Sequence, residues 1–167
     1  ALTGHLVFST IHTNDAPTAI PRLIDLEAPP FLVSSVLNLI IAQRLVRRIC
    51  LSCIYSQEAG REVKEVIIKQ LKELKVPAPE SRVPKILYRG KGCLACGNTG
   101  YRGRLGIFEI VESTDKIKKV ITDPRFSAEA LREEARKEGS ETMFEDGLAK
   151  VQLGLTTIEE VLRVIRE

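Results

Sequence analysis

Two Cys-x-x-Cys pairs constrain this chain more than any other feature: Cys50-Leu51-Ser52-Cys53 and Cys93-Leu94-Ala95-Cys96 hold all four of its cysteines. Each pair turns tightly enough to aim two sulfurs at one point, and two such turns supply the four thiolates of a tetrahedral Zn²⁺ site. Residues 54–92 separate the pairs, a longer span than in a minimal zinc ribbon, but one that a helix fills. Two plainer readings stand beside the metal. Disulfides fit poorly with a cytoplasmic chain. Four buried free thiols are compatible with the composition, yet core packing gives no reason for cysteines to come in matched pairs. With four protein ligands no position stays open for water or substrate, so a metal here is structural. It would close the insertion and pin both ends, its binding energy serving as folding energy. The glycines of "GCLACGNTGYRGRLG" permit tight turns about it.

The rest of the composition is ordinary. At 44% hydrophobic and 28% charged over 167 residues, the chain can form one domain or two small ones, and wholesale disorder is excluded. A net charge of +3 does not by itself point to nucleic acid. The longest apolar segment, Phe31 to Ala42, is broken by Ser34, Ser35 and Asn38 and is too short to span a membrane. The first residues carry neither a basic flank nor a cleavage-like site, so the expected location is cytoplasmic.

Along the chain, Leu6-Val7-Phe8 reads as a buried strand at the very start. A central strand needs neighbours on both sides, so the expectation is a cut made inside a domain at residue 1. Asp15 or Asn14 then starts a helix that runs to about Leu26 and stops at Pro29-Pro30. A buried helix is expected over 31–42, and "QRLVRRIC" as a short strand ending at the first cysteine. Residues 58–76 read as a charged helix with a stripe at Val63, Ile67, Leu71 and Leu74. "VPAPESRVPK" is a proline-broken loop, and "RLGIFEIV" a strand. Four short helices follow, about 115–122, 128–138, 141–153 and 157–166, with Gly139 and Gly154 at helix ends. Thr156 and Glu159 are expected to form a capping box, and Ile158, Val161, Leu162 and Ile165 the stripe of the last helix. The resulting divisions are residues 1–49, 50–96 and 97–167, in an α/β chain.

His5 and His12 are the only histidines. With the strand ending at Ser9 or Thr10, His12 lies just past its carboxyl end, where open α/β sheets bind ligands. Thr10, Thr13, Asn14 and Asp15 surround it with hydroxyls, an amide and a carboxylate, a setting suited to sensing a phosphate. A hydrogen-bonded structural histidine is the plainer reading, preferred for His5 and level with the other for His12. No G-x-x-x-x-G-K-[ST] loop exists in the chain. Nor does an acidic pair follow an apolar strand, so the chain alone is not expected to hydrolyse ATP.

Taken together, "TGHLVFSTIHTNDAPTAIPRLIDL", "IAQRLVRRIC", "GCLACGNTGYRGRLGIFEI" and "EDGLAKVQLGLTTIEEVLRV" resemble the ATPases of type II secretion and type IV pilus assembly, the GspE/PilB group. The likeness covers nearly the whole chain and leaves out only residues 54–91. It implies the C-terminal part of a RecA-like ATPase domain with a tetracysteine zinc-binding insertion and a C-terminal helical subdomain. It further implies a homohexamer that turns ATP hydrolysis into extrusion of a pilus or pseudopilus. ATP and Mg²⁺ would be held mainly by residues upstream. Thr10, His12 and His5 match the family's histidine box, which couples nucleotide state to subunit movement. Cys50, Cys53, Cys93 and Cys96 match its zinc site. Retraction ATPases generally lack the cysteines, so assembly or secretion is favoured. The implied partner is an inner-membrane platform protein, with the chain peripheral to that membrane and not inserted in it. The alternative is a zinc-stabilised interaction module without its own ATPase activity, docking through Arg47, Arg48, Arg102 and Arg104. Nucleic acid is disfavoured, because the few aromatics do not interleave with the basic residues.

Overall fold

The structure is a computed structural model and describes residues 1–166. In chain order the elements are α1 (Ala19–Asp25), α2 (Pro30–Val36), β1 (Leu39–Ile49), β2 (Ile54–Glu58), α3 (Arg61–Glu73), β3 (Ile86–Gly90), β4 (Tyr101–Glu112), α4 (Asp115–Thr122), α5 (Ala128–Lys137), α6 (Met143–Gln152) and α7 (Ile158–Arg166). They form two compact units: Ala1–Gln43 with Phe108–Glu141, and Arg44–Ile107 with Thr142–Glu167. Strands β1 and β4 pair with each other and contribute residues to both units.

In the first unit, Asp15 Oδ1 accepts from Thr18 N–H at 3.0 Å and starts the turn that leads into α1. Pro30 opens α2 at a position where a helix has no use for its missing N–H. That helix ends at Val36, and residues 39–42, expected to continue it, lie in β1. Leu39, Ile40 and Ile41 favour a pleated backbone once the apolar run of β4 is available as a partner. Ser113 N–H donates to Asn38 O at 2.9 Å beside that ladder. Thr114 and Ser127 cap α4 and α5, accepting from Ile117 N–H and Ala130 N–H at 3.3 and 3.1 Å. The core comprises Ala16, Ile20, Val33, Val111, Ile117, Ile121, Leu131 and Ala135. Each fully buried Ile or Leu there contributes on the order of 2 kcal/mol.

The opening strand does not form. Residues 5–13 have no regular structure, and Leu6, Val7 and Phe8 are 75%, 58% and 89% exposed. A strand takes its backbone hydrogen bonds from neighbours, and among the described residues none lies alongside this run.

In the second unit, β2 and β3 form an antiparallel pair in the register Ile54↔Gly90 to Glu58↔Ile86. Helix α3 lies between them in sequence and buries Ile67 and Leu71 completely. It is shorter at both ends than the expected 58–76, because Glu58 belongs to β2 and the turn after Leu74 places Lys75 at φ 55°. Thr142 and Glu145 form a capping box at the start of α6. At α7 the cap is Thr157, whose hydroxyl accepts from Glu160 N–H at 3.4 Å. Thr156 is drawn away from that role, since its hydroxyl donates to Arg47 O at 2.8 Å. Glu159 pairs with Arg89 instead of closing a capping box.

Candidate metal centre

The four cysteines converge. The first pair follows the end of β1, where Cys50 N–H donates to Gly100 O at 2.9 Å. The second pair follows β3 and wraps a single 3₁₀ turn, Leu94–Cys96. Because β2 and β3 pair residue for residue, Ile54 beside Cys53 faces Gly90, which brings the two Cys-x-x-Cys turns to the same end of the ladder. Sulfur–sulfur distances are 3.9 Å for Cys50–Cys93, 3.9 Å for Cys53–Cys96 and 3.7 Å for Cys93–Cys96. All four sulfurs lie within 4.8 Å of one another. A disulfide needs about 2.0 Å, so the thiols are free. Sulfurs placed tetrahedrally at about 2.3 Å from an ion stand about 3.8 Å apart, which matches these three separations. Among the described residues no other group of three or more His, Cys, Asp or Glu side chains has the geometry to hold a metal.

The backbone around the cluster is built for close approach. A Cβ on Gly100, whose φ is +76°, would come within 2.6 Å of Gly90 O, and a Cβ on Gly90 would run into the Gly100 backbone. Glycine at both positions lets the two chains cross beside the sulfurs. Cys96 Sγ accepts from Cys93 N–H at 3.2 Å and from Gly100 N–H at 3.3 Å. Burial opposes ionisation of Cys96, but these two N–H groups, helped by the Cys93 and Cys53 thiols, prevail and bring its thiol down to about 6. Burial pushes Cys53 the other way, to about 11. The two N–H donors thus favour the thiolate at Cys96, and a bound cation would draw protons from the remaining thiols. The donor set fits a soft-to-borderline divalent metal, with no protein position left open for chemistry.

Also in the second unit, Glu160 is a carboxylate that periodicity did not single out. Its side chain is 3% exposed and accepts from Arg47 Nη2 at 2.7 Å, Arg47 N–H at 3.0 Å, and Arg163 Nε and Nη2 at 3.2 and 3.1 Å. Burial alone would raise its pKa; the bonds from Arg47 and Arg163 outweigh it and hold the carboxyl at about 2. Arg47 also stacks on Tyr101, 4.2 Å from the ring centroid.

In the other unit, His5, Thr10 and His12 lie exposed on the irregular run before α1. His5 Nδ1 is 3.1 Å from Thr3 Oγ1. Just after His12, Asp15 Oδ2 accepts from Arg132 Nη2 at 2.7 Å, and the neighbouring Glu109 is buried. Sequence reading missed Glu109; the available signal was an acid set between Phe108 and Ile110 in the apolar stretch 107–111 of β4.

Residues 1–163 match the family model described as Type II/IV secretion system protein. The chain belongs to this family. Among curated members, the type II secretion system ATPase E of Vibrio cholerae is 41% identical over 167 residues, covering 100% of this chain and 31% of that protein. The type IV pilus assembly ATPase PilB of Thermus thermophilus is 43% identical over 162 residues, 97% of this chain and 17% of that protein. The Myxococcus xanthus PilB is 41% identical over 162 residues, 97% of this chain and 27% of that protein. This type II/IV secretion chain thus spans less than a third of the length of these relatives. Among its described residues no helix is long and apolar enough to cross a membrane.

Proposed function

We propose that this chain is part of a hexameric motor ATPase of RecA-like fold that powers type IV pilus assembly or type II protein secretion. The observation that carries this reading is identity of about 40% along the whole chain to ATPases of both systems. In this reading ATP and Mg²⁺ are bound mainly by a phosphate loop and acidic residues outside these 167 residues, which contain no such loop. His12 and Thr10, with His5 as a second histidine-box member, respond to the γ-phosphate and couple nucleotide state to subunit movement. Their exposure on an irregular run supports a role of reaching toward a nucleotide held by another segment.

Cys50, Cys53, Cys93 and Cys96 hold a structural Zn²⁺. The ion contributes cross-linking of two turns and no reaction step. The motor works against a membrane platform protein and associates with the membrane through it.

The reading frame upstream of Ala1 tests this. If it continues and encodes a phosphate loop followed by an acidic strand, the motor reading stands. A start codon at or near residue 1 would remove the ATP site and leave an interaction module.

A further inference from the structure

Arg47, Arg104 and Arg163 line one cavity of about 590 Å³ together with Leu45. Among the described residues no acidic side chain lines it. Glu160 braces two of the guanidinium groups from beneath, and the Tyr101 ring supports one of them. Arg47 and Arg163 nevertheless remain 50% and 45% exposed. Arg104 is exposed and has no ion-pair partner among the described residues. A guanidinium carries five N–H donors in a planar fork that matches a carboxylate. The bonds of Arg47 to Glu160 use only some of its donors, and those of Arg104 are unused among the described residues. Held in place from below, Arg47 and Arg163 lose little freedom when a ligand arrives.

We propose that this cleft is a docking site for an acidic segment of a partner protein. A Glu or Asp carboxylate is taken by the arginines, and an apolar neighbour lies against Leu45. Charge complementarity selects the anion, and the character of the lining selects its source. Arg47 lies over one face of Tyr101, and no aromatic side chain is among the described residues of the lining, so the cleft offers no stacking platform of the kind a single-stranded nucleic acid needs. Among the described residues the lining comprises Leu45, Arg47, Arg104 and Arg163, with no glycine-rich loop or helix N-terminus to cradle a phosphate. The proposal concerns the second unit alone and does not depend on the motor reading, since binding here requires no nucleotide.

The test is fluorescence anisotropy of a labelled peptide of alternating glutamate and leucine, titrated with the whole chain at low salt. Arg104→Glu is the informative variant, because Arg104 supports nothing else and its replacement leaves the Glu160 brace intact. Circular dichroism checks that the variant is folded. The expected result is saturable binding, weakened at least about tenfold by Arg104→Glu and less by Arg104→Lys, which keeps the charge without the fork. Absent binding, or equal binding by Arg104→Glu, overturns the proposal. So does displacement by inorganic phosphate or an oligonucleotide at lower concentration than by unlabelled peptide. A dimer lost in Arg104→Glu, without peptide binding, would assign the cleft to a second copy of the chain and would also overturn it.

Discussion

Arg132 Nη2 lies 2.7 Å from Asp15 Oδ2, tying α5 to the turn that follows the histidine-bearing run. Glu109 shares that neighbourhood. Burial pushes its carboxyl up and the negative charge of Asp15 adds to the push. Ala16 N–H, Arg132 and Arg136 pull the other way, leaving it at about 7. Since this lies above its ordinary value of 4.5, the folded state binds the proton more tightly than the unfolded one. Its contribution is fully present below pH 4.5 and is lost as pH rises through about 7, a swing of up to about 3 kcal/mol. Glu109→Gln should flatten this dependence and raise stability at pH 8. Urea unfolding across that range checks it; an unchanged pH profile would contradict it.

Glu160 has the opposite sign. Its carboxyl is held at about 2, so its stabilising effect is present above about 4.5 and disappears as pH falls toward 2. Glu160→Ala leaves Arg47 and Arg163 without their shared anion and should destabilise the second unit by roughly 3 kcal/mol. Thermal unfolding at pH 7 measures the loss, and the difference between variant and parent should shrink in acid.

Gly100→Ala asks for a Cβ at φ +76° and 2.6 Å from Gly90 O. Strain and backbone clash together should cost at least about 1–3 kcal/mol and weaken metal retention. Competition with a chromogenic chelator reads the latter directly; faster metal loss is the expected outcome.

Metal removal should act locally. Chelation is expected to loosen residues 50–58 and 86–100, where the two Cys-x-x-Cys turns and their ladder lie, while α4 and α5 keep their protection. Amide hydrogen exchange with and without chelator resolves this. Uniform protection after treatment would mean that the cysteines merely fill a core.

What could be read from the sequence followed local chemistry. The paired cysteines, the four C-terminal helices, and Gly139 and Gly154 with φ of 91° and 71° are all short-range signals, and each appears in the structure. The family, too, was legible from motifs spread along nearly the whole chain. Elements that depend on distant partners were not. Leu6-Val7-Phe8 has strand character but no strand beside it among the described residues, and residues 39–42, expected as the end of a helix, are strand because β4 lies next to them. Glu109 was hidden because the stretch around it is apolar on both faces, with Ile107 and Val111 on its own face and Phe108 and Ile110 on the other. Glu160 was hidden because the residue that justifies its burial, Arg47, lies 113 positions away.

The proposed coupling role of His12 is tested most directly by ATP turnover of the longer protein that carries both this chain and a phosphate loop. His12→Ala should lower kcat with KM for ATP nearly unchanged, because the residue is expected to respond to the γ-phosphate without providing the main binding. A raised KM with unchanged kcat would contradict the coupling role and make His12 a simple binding contact.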